Sequence, residues 1–248
     1  AVVRRAQHGY GFEVIGIEDA GRGLMERRTV PLSIESLDVQ GFDPMLSTGG
    51  TFLGTINRSL GDVEEEIQAG YRDIGLDALV SIGGDGSMAI LQESARMGGW
   101  KMVGIPKTID NDVAFTDRSL GFDSAVRTVA KAIEYLRTTG VSHDRVMVLE
   151  TMGRHAGHLA LHGGLSAGAD AILIPEIPYT IEGLLEAIDR TSRMRNHLFA
   201  VIVVAEGVAA PDGMVCKVVD CQGRDRFQGV GELVVSALES QTGGQVEA

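Results

Sequence analysis

Cysteine is scarce in this sequence of 248 residues, which contains only Cys216 and Cys221. The two thiols could pair only in principle, because no secretory signal is visible that would imply an oxidising compartment. We therefore expect reduced cysteines in a cytoplasmic protein.

Long hydrophobic runs and aromatic side chains are also rare. No apolar run approaches the ~18 residues that a membrane-spanning helix requires, so we expect no membrane span. Aromatic residues make up only 5% of the chain, whereas glycine occurs 33 times. This balance fits many tight turns between strands and helices better than an all-β sandwich.

Basic residues are in the minority: 22 lysines and arginines stand against 34 aspartates and glutamates, giving a net charge of −12. The long-range field of such a chain repels polyanions, which argues against nucleic acid or an anionic membrane as a partner. A small phosphorylated ligand stays compatible with this charge, because it needs only a local group of hydrogen-bond donors.

Apolar runs alternate with amphipathic segments along the chain. The runs lack polar alternation, which is typical of strands buried on both faces, and the segments between them have helical spacing. Strands are predicted within 12–19, 76–84, 101–107, 144–151, 169–175 and 197–207, and helices within 62–75, 87–99, 122–140 and 180–195, the last with Thr180 as its N-cap. This alternation predicts an α/β architecture with parallel sheets.

The first candidate site is the segment SIGGDGS at 81–87, which follows a predicted strand and opens a helix. Its glycines allow a phosphate to approach the backbone, and a helix N-terminus supplies N–H groups and a positive partial charge. Asp85 could hold Mg²⁺ beside such phosphates. The alternative is a plain strand-to-helix turn with an N-capping aspartate. The segment is not a P-loop, because no Lys-Ser/Thr pair follows its glycines.

The second candidate is PKTIDND at 106–112, where Asp110 and Asp112 follow Lys107 and Thr108. Taken singly, each aspartate fits a turn residue that hydrogen-bonds to its own backbone. Ligands of open α/β sheets, however, bind beyond the carboxyl ends of the strands, where this segment and the glycine turn both fall. One carboxylate can then accept a proton from an attacking hydroxyl, while Mg²⁺ and the lysine offset the negative charge.

The third candidate is ETMGRHAGHLA at 150–160, again a strand end that turns into a helix. Gly153 allows a tight turn, and Arg154 can bind a phosphate or stabilise charge that develops during transfer. We expect the histidines of this segment on the helix surface rather than around a metal. Glu206 ends a further strand and could accept hydrogen bonds from a sugar, although alone it fits a surface carboxylate. Polar turns at several strand ends predict a common site.

Six segments together resemble the phosphofructokinase family. They occur in that family's order and approximate spacing: GGTFLGT (49–55), GGDGS (83–87), PKTIDND (106–112), GFDSA (121–125), MGRHAG (152–157) and AEG (205–207). The joint presence of TIDND and MGR is highly specific. The resemblance implies Mg²⁺-dependent phosphoryl transfer to the 1-hydroxyl of fructose 6-phosphate in glycolysis. It also implies two Rossmann-like domains with parallel sheets and flanking helices.

The resemblance assigns roles to individual residues. Asp110 matches the base that activates the sugar hydroxyl, Arg154 a group that bears on transition-state charge, and Asp85 the magnesium-associated aspartate. Lys107 can neutralise the transferring phosphate. The implied sugar-phosphate contacts are Thr108, Asp110, Asp112, Met152, Gly153, Arg154 and Glu206, and the implied donor contacts are Gly84, Asp85, Gly86 and Ser87.

The resemblance also bears on organisation. Arg145 matches an arginine that reaches the substrate phosphate of a neighbouring subunit, which implies a homodimer or homotetramer with shared active sites. We expect a donor-binding domain at 1–121 and a sugar-phosphate-binding domain at 122–248, with the boundary near Gly121 where a long helix is predicted to begin. The family's glycine-rich donor loop would precede Ala1, and a later arginine- and histidine-bearing motif would follow Ala248. A protein that lacks these segments is expected to be inactive, whereas a protein that contains them is expected to be active.

Two positions of the sequence bear on the identity of the phosphoryl donor, and they point to different donors. Family members that use pyrophosphate typically have aspartate in place of Gly86 and lysine at the position of Lys107, so this chain combines features of ATP and pyrophosphate users. A carboxylate at 86 would crowd and repel the α-phosphate of ATP, and we therefore expect ATP, with pyrophosphate as the alternative. The aromatic residue usual near GRGL (21–24) is absent, which makes adenine stacking there doubtful.

Two other functions fit part of the sequence. An NAD or lipid kinase shares the GGDG turn but not PKTIDND or MGR. A catalytically inactive subunit that binds sugar phosphate fits the missing end motifs, whereas the intact Asp110 argues against it.

Overall fold

The structure is a computed structural model that describes residues 1–33, 49–55, 63–210, 212–219 and 225–242. The chain packs into two compact units. The first comprises 1–81 and 86–105, and the second comprises 82–85 and 106–248. The boundary expected near Gly121 stays a prediction, since these units divide the chain at other positions.

In the first unit, short strands and helices surround a small apolar core. Its elements before the glycine turn are α1 (Val2–Tyr10), β1 (Ile15–Ile17), α2 (Gly21–Glu26), β2 (Thr29–Pro31) and α3 (Glu64–Ile74). Strands β1 and β2 pair in antiparallel fashion. Leu24 of α2 is buried with Ile67 and Tyr71 of α3. The two helices lie so close that a Cβ at Gly70 would fall 1.9 Å from the Leu24 carbonyl oxygen.

A further sheet has three strands. It contains β3 (Leu79–Gly83), β4 (Met102–Thr108) and β5 (Leu120–Gly121), in the order β3-β4-β5, with helix α4 (Asp85–Gly98) between β3 and β4 in the chain. Strands β4 and β5 are parallel, and Thr108 lies opposite Gly121. The carboxyl ends of β3 and β4 belong to the second unit, together with Gly84, Asp85 and the acidic segment that follows β4, whereas Gly86 and Ser87 belong to the first.

The second unit is built around a parallel sheet in the order β6-β8-β7. Its elements are α5 (Phe122–His143), β6 (Val146–Thr151), α6 (His158–Ala167), β7 (Ala171–Leu173), α7 (Ile181–Arg195), β8 (Ala200–Ala205), β9 (Lys217–Val219), β10 (Asp225–Phe227) and α8 (Val230–Thr242). Strands β9 and β10 form a separate antiparallel pair. The unit therefore alternates strands and helices, as the sequence predicts.

Strand β8 forms the centre of the core. All six of its residues, Ala200–Ala205, have 0% of their surface exposed. Buried side chains from the surrounding helices complete the core: Phe122, Val129, Ile133, Leu159, Ile181, Leu184, Ile188, Val230, Val234 and Leu238. Because the strand has neighbours on both faces, its sequence is uniformly apolar rather than alternating. Each fully buried Val or Ile contributes roughly 1.5–3 kcal/mol of transfer free energy.

The sequence predictions of secondary structure are confirmed with differences at the ends. Helix α4 begins two residues earlier than predicted, and α5 continues to His143. The segment 12–19 contains a strand, β1, but it pairs with β2 in an antiparallel ribbon and joins no parallel sheet. Strands β2, β5, β9 and β10, of two or three residues each, were not predicted. Among the described residues, no helix combines the length and hydrophobicity needed to cross a membrane.

Helix α7 begins with the predicted side-chain cap. The Thr180 hydroxyl accepts a hydrogen bond from the Gly183 N–H at 3.1 Å, which satisfies one of the otherwise unpaired donors of the first turn. Replacement of Thr180 by alanine removes this acceptor and should lower the free energy of unfolding by about 1 kcal/mol. Urea denaturation of Thr180→Ala and Thr180→Ser measures the effect. The serine variant keeps the acceptor and should resemble the parent, and equal losses in both variants would contradict the assignment of the cap.

Candidate functional site

The turn after β4 is closed by side-chain hydrogen bonds. The Thr108 hydroxyl accepts a hydrogen bond from the Asp110 N–H at 3.1 Å. Asn111 has a positive φ of 55°, and its side-chain oxygen accepts a hydrogen bond from the Ser119 N–H at 2.8 Å. The Ser119 hydroxyl donates to the Thr108 carbonyl at 2.7 Å. These bonds tie both ends of the acidic segment to the end of β4, which fixes where the Asp110 carboxylate lies.

The turn after β6 is held by the neighbouring strand. Gly153 has a φ of 145° and Arg154 a φ of 52°, both outside the usual range for L-residues. Oε1 of Glu206, which follows β8, accepts hydrogen bonds from the N–H groups of Gly153 at 3.0 Å and Arg154 at 2.7 Å. The Glu206 N–H donates to the Thr151 carbonyl at 2.8 Å and so extends the ladder between the two strands.

The two turns meet through Asp110 and Arg154. The Arg154 Nε lies 3.9 Å from the Asp110 Oδ2, at the limit of an ion pair. The Asp110 side chain is only 14% exposed, whereas that of Arg154 is 72% exposed. A long contact with so exposed an arginine contributes little to stability. The guanidinium therefore faces solvent, where it can contact an anionic ligand next to the carboxylate.

The environment of Asp110 favours its protonated form. Burial raises the pKa of its carboxyl above the usual aspartate value, and the negative charges of Asp112 and Glu206 raise it further. The charge of Arg154 and the hydrogen bond with Thr108 lower the pKa, but they do not cancel the effect of burial. A carboxylate with a raised pKa is a stronger base, which is the property that proton abstraction from a hydroxyl requires.

The glycine turn lies beside the end of β4. A Cβ built at Gly84 would lie 3.8 Å from the Lys107 carbonyl oxygen and 3.9 Å from the Thr108 Cβ. Asp85 is exposed and is the first residue of α4, and Gly86 and Ser87 follow it in the same helical turn. Outside its chain neighbours and the backbone of its own helix, no heavy atom of the described residues lies within 4 Å of a Cβ built at Gly86. The fold itself therefore does not require glycine at this position.

The residues present fit a magnesium ion that a ligand helps to hold. Among the described residues, no three histidine, cysteine, aspartate or glutamate side chains form a metal cluster. Magnesium in phosphoryl-transfer sites is typically bound by one or two carboxylates together with phosphate oxygens and waters. The exposed carboxylate of Asp85, at the start of a helix whose N–H groups favour phosphate, is a group of this kind.

The other predicted residues lie in different surroundings. Lys107, Asp112 and Met152 are exposed near the ends of the strands that precede them. Arg145 precedes β6 and therefore lies at the opposite end of this strand from Arg154. Six residues at ~3.3 Å each place them about 20 Å apart along the strand. Within one chain, the structure does not bring Arg145 to the site.

Two histidines, His155 of the third segment and His162 just beyond it, pack against aromatic rings. The His155 ring contacts the edge of Phe227, with 4.8 Å between ring centroids. The His162 ring contacts Phe122 in the same manner, with 5.2 Å between centroids. Both histidines thus have aromatic neighbours.

Sequence reasoning missed two residues that shape the site. Asn111 and Ser119 position the acidic turn, although neither has a charge to attract notice. The position of Asn111 directly after a strand could have indicated a turn residue, because asparagine adopts positive φ more readily than most residues. Ser119 had no local signal, because its partners lie eight and eleven positions away.

Comparison with known proteins identifies the family to which the chain is similar. The sequence model described as phosphofructokinase matches residues 1–248. An ATP-dependent 6-phosphofructokinase of Thermosynechococcus vestitus is 53% identical over 209 residues, which cover 84% of this chain and 56% of the relative. ATP-dependent 6-phosphofructokinase 1 of Synechocystis is 45% identical, covering 99% of this chain and 70% of the relative. A pyrophosphate–fructose 6-phosphate 1-phosphotransferase of Dictyoglomus thermophilum is 41% identical, covering 96% and 69%.

Solved structures share the fold. Phosphofructokinase from Saccharomyces cerevisiae matches with a TM-score of 0.70 and 32% identity, over 84% of this chain and 31% of the other. Pyrophosphate-dependent phosphofructokinase from Nitrosospira multiformis matches with a TM-score of 0.78 and 22% identity, over 98% and 61%. The chain spans 56–58% of the length of the curated relatives that share 53% of its sequence. Because the family model covers every residue and the similarity extends through both compact units, the chain belongs to the phosphofructokinase family.

Proposed function

We propose that this chain forms part of a cytoplasmic 6-phosphofructokinase. The enzyme transfers the γ-phosphoryl group of ATP to the 1-hydroxyl of fructose 6-phosphate, which gives fructose 1,6-bisphosphate and ADP in glycolysis. The observation that supports this most strongly is the pairing of two turns. A half-buried carboxylate with a raised pKa, Asp110, lies 3.9 Å from the exposed guanidinium of Arg154.

The chemistry assigns a different task to each of these groups. The Asp110 carboxylate accepts the proton of the sugar hydroxyl as the hydroxyl oxygen forms a bond to the γ-phosphorus. The bond between that phosphorus and the bridging oxygen of ADP breaks, and ADP leaves with the electron pair. The Arg154 guanidinium stabilises the charge on the transferring group, and Lys107 helps to neutralise it.

The sugar phosphate is proposed to lie between the two turns. The groups that bind it are Thr108, Asp112, Met152, Gly153 and Glu206, together with the two catalytic side chains. Arg145 cannot serve the site of its own chain, since β6 separates it from Arg154. This placement supports the proposal that Arg145 completes the site of a neighbouring subunit in a homodimer or homotetramer.

The phosphoryl donor is proposed to bind along Gly84, Asp85, Gly86 and Ser87, where α4 begins. Asp85 would hold Mg²⁺ together with the donor phosphates. When bound, the ion offsets the charge of the phosphates and of the acidic turn. The N–H groups of the first helical turn are available for phosphate oxygens.

ATP is the donor that two observations favour. Among the described residues outside its own helical turn, no atom comes within 4 Å of a Cβ placed at Gly86, which leaves room beside the proposed path of a nucleotide phosphate. Relatives named as ATP-dependent have identities between 41% and 53%, whereas a relative named for pyrophosphate is 41% identical. Lys107, the lysine of pyrophosphate users, is the observation that favours pyrophosphate as the alternative donor.

Replacement of the proposed base should remove most of the activity. Asp110→Asn keeps the shape of the side chain but cannot accept the hydroxyl proton, and kcat should fall by about 10²–10⁴-fold. Steady-state kinetics of the full-length protein with ATP and fructose 6-phosphate measure this. Asp123→Asn, at an exposed aspartate that pairs with Arg118, is the matched control and should keep normal kcat. A near-normal rate in Asp110→Asn would remove Asp110 from this role.

The same variant should not be less stable than the parent. Because the folded-state pKa of Asp110 is raised, its ionised form destabilises the folded protein, and this penalty grows as pH rises through the unfolded and folded pKa values. The uncharged asparagine lacks the penalty, so urea denaturation near pH 7 should show an equal or higher free energy of unfolding. A loss of activity with this result cannot be attributed to unfolding.

The donor can be tested at the open glycine. The parent should turn over fructose 6-phosphate with ATP, and Gly86→Asp should raise the KM for ATP more than about tenfold, because the carboxylate repels the donor phosphates. Gly86→Ala is the control and should have a smaller effect, since nothing crowds the added methyl group. A coupled assay with ATP and pyrophosphate in parallel measures both.

Three outcomes would count against the proposal in different ways. Turnover of the parent with pyrophosphate alone would reverse the choice of donor. Saturable binding of fructose 6-phosphate without turnover would identify an inactive sugar-phosphate-binding subunit. An unchanged KM for ATP in Gly86→Asp would show that the donor does not pass this position.

A further inference from the structure

The end of β8 contacts the turn after β6 in three ways. One carboxylate oxygen of Glu206, Oε1, accepts hydrogen bonds from two consecutive N–H groups, those of Gly153 at 3.0 Å and Arg154 at 2.7 Å. The Glu206 N–H is itself bound to the Thr151 carbonyl at 2.8 Å. A Cβ at Gly207 would lie 2.0 Å from the Arg154 carbonyl oxygen. The peptide groups on both sides of Arg154 therefore contact the residues at the end of β8.

The turn needs such support because its backbone is strained. Arg154, a residue with a Cβ, has a φ of 52°, and Gly153 has a φ of 145°. Residues in sparsely populated regions keep their conformation only where surrounding contacts determine it. Within the turn itself, the Ala156 N–H donates to the Gly153 carbonyl at 3.0 Å. The contacts from β8 therefore supply much of what holds the turn in this conformation.

We propose that Glu206 is a positioning residue for phosphoryl transfer, in that its Oε1 fixes the Gly153–Arg154 backbone and so places the Arg154 guanidinium beside Asp110. This inference rests on the function proposed above. The second oxygen, Oε2, accepts no hydrogen bond from the described residues and is left to face a sugar hydroxyl. One carboxylate then has two tasks, divided between its two oxygens.

This role is distinct from that of a simple sugar contact. A residue that only binds the sugar equally in the ground state and transition state changes KM and leaves kcat unchanged. A residue that positions Arg154 changes kcat, because the guanidinium acts on charge that develops in the transition state. The ratio of the two effects therefore separates the roles.

Two substitutions of Glu206 separate its positioning role from its contact with the sugar. Glu206→Ala removes the single oxygen that accepts the Gly153 and Arg154 N–H groups, and kcat should fall by ~10²-fold, a loss that misplacement of a group by about 1 Å can cause. Glu206→Gln keeps one amide oxygen that can accept both N–H groups. Its kcat should stay within about threefold of the parent, while its KM for fructose 6-phosphate rises because the charge is lost.

Hydrogen exchange of the turn tests the positioning without any substrate. In the full-length protein, the amides of Gly153 and Arg154 should exchange at least about tenfold faster in Glu206→Ala, and at nearly the parent rate in Glu206→Gln. Mass spectrometry of a peptide that spans 151–157 measures this. Exchange in helix α7, which is remote from the turn in the chain, should be the same in all three proteins and shows that the fold is intact.

The outcomes separate this inference from the proposed function. If the parent is inactive with both donors, the proposed function fails, and hydrogen exchange still tests the positioning. If the parent is active but Glu206→Ala changes only KM, the positioning role is wrong. Unchanged exchange in Glu206→Ala, or equally fast exchange in Glu206→Gln and Glu206→Ala, would also overturn it.

Discussion

The site depends on an electrostatic balance at one carboxylate. Asp110 is largely withdrawn from water, and its burial together with the nearby charge of Asp112 raises the pKa of its carboxyl. Arg154 opposes that rise from 3.9 Å but is too exposed to dominate it. A fully paired aspartate would be a weak base, and an aspartate in water would have its ordinary basicity. The intermediate arrangement of Asp110 fits the proton transfer proposed for it.

Parallel topology brings these groups together. Because β6 and β8 run in the same direction, the turns that follow them lie at one sheet edge, where the Glu206 side chain reaches the backbone of Arg154. Strand β4 ends in the same compact unit, and its turn is closed by Asn111 and Ser119. The core thus sets the positions of the strands. The side chains proposed to function lie in the turns that follow these strands.

The sequence predicted the parts of the fold that local pattern determines. The apolar run around β8 predicted a strand buried on both faces, and Thr180 predicted a helix start. Strand β1 looked equally apolar, but pairing with β2 depends on contacts that periodicity does not encode. At the site, the charges of Asp110 and Arg154 were visible in the sequence. The bonds of Glu206 to a backbone 52 and 53 positions away could only be seen in the structure.

The pKa of Asp110 tests the central claim most directly. Carboxyl ¹³C NMR titration of the full-length protein, assigned by comparison with Asp110→Asn, should give a pKa above the ordinary aspartate value of about 3.9. In Arg154→Ala the pKa should rise further, because the opposing positive charge is removed. A pKa at or below the ordinary value, or one that does not change when Arg154 is replaced, would contradict the proposed balance between burial and charge.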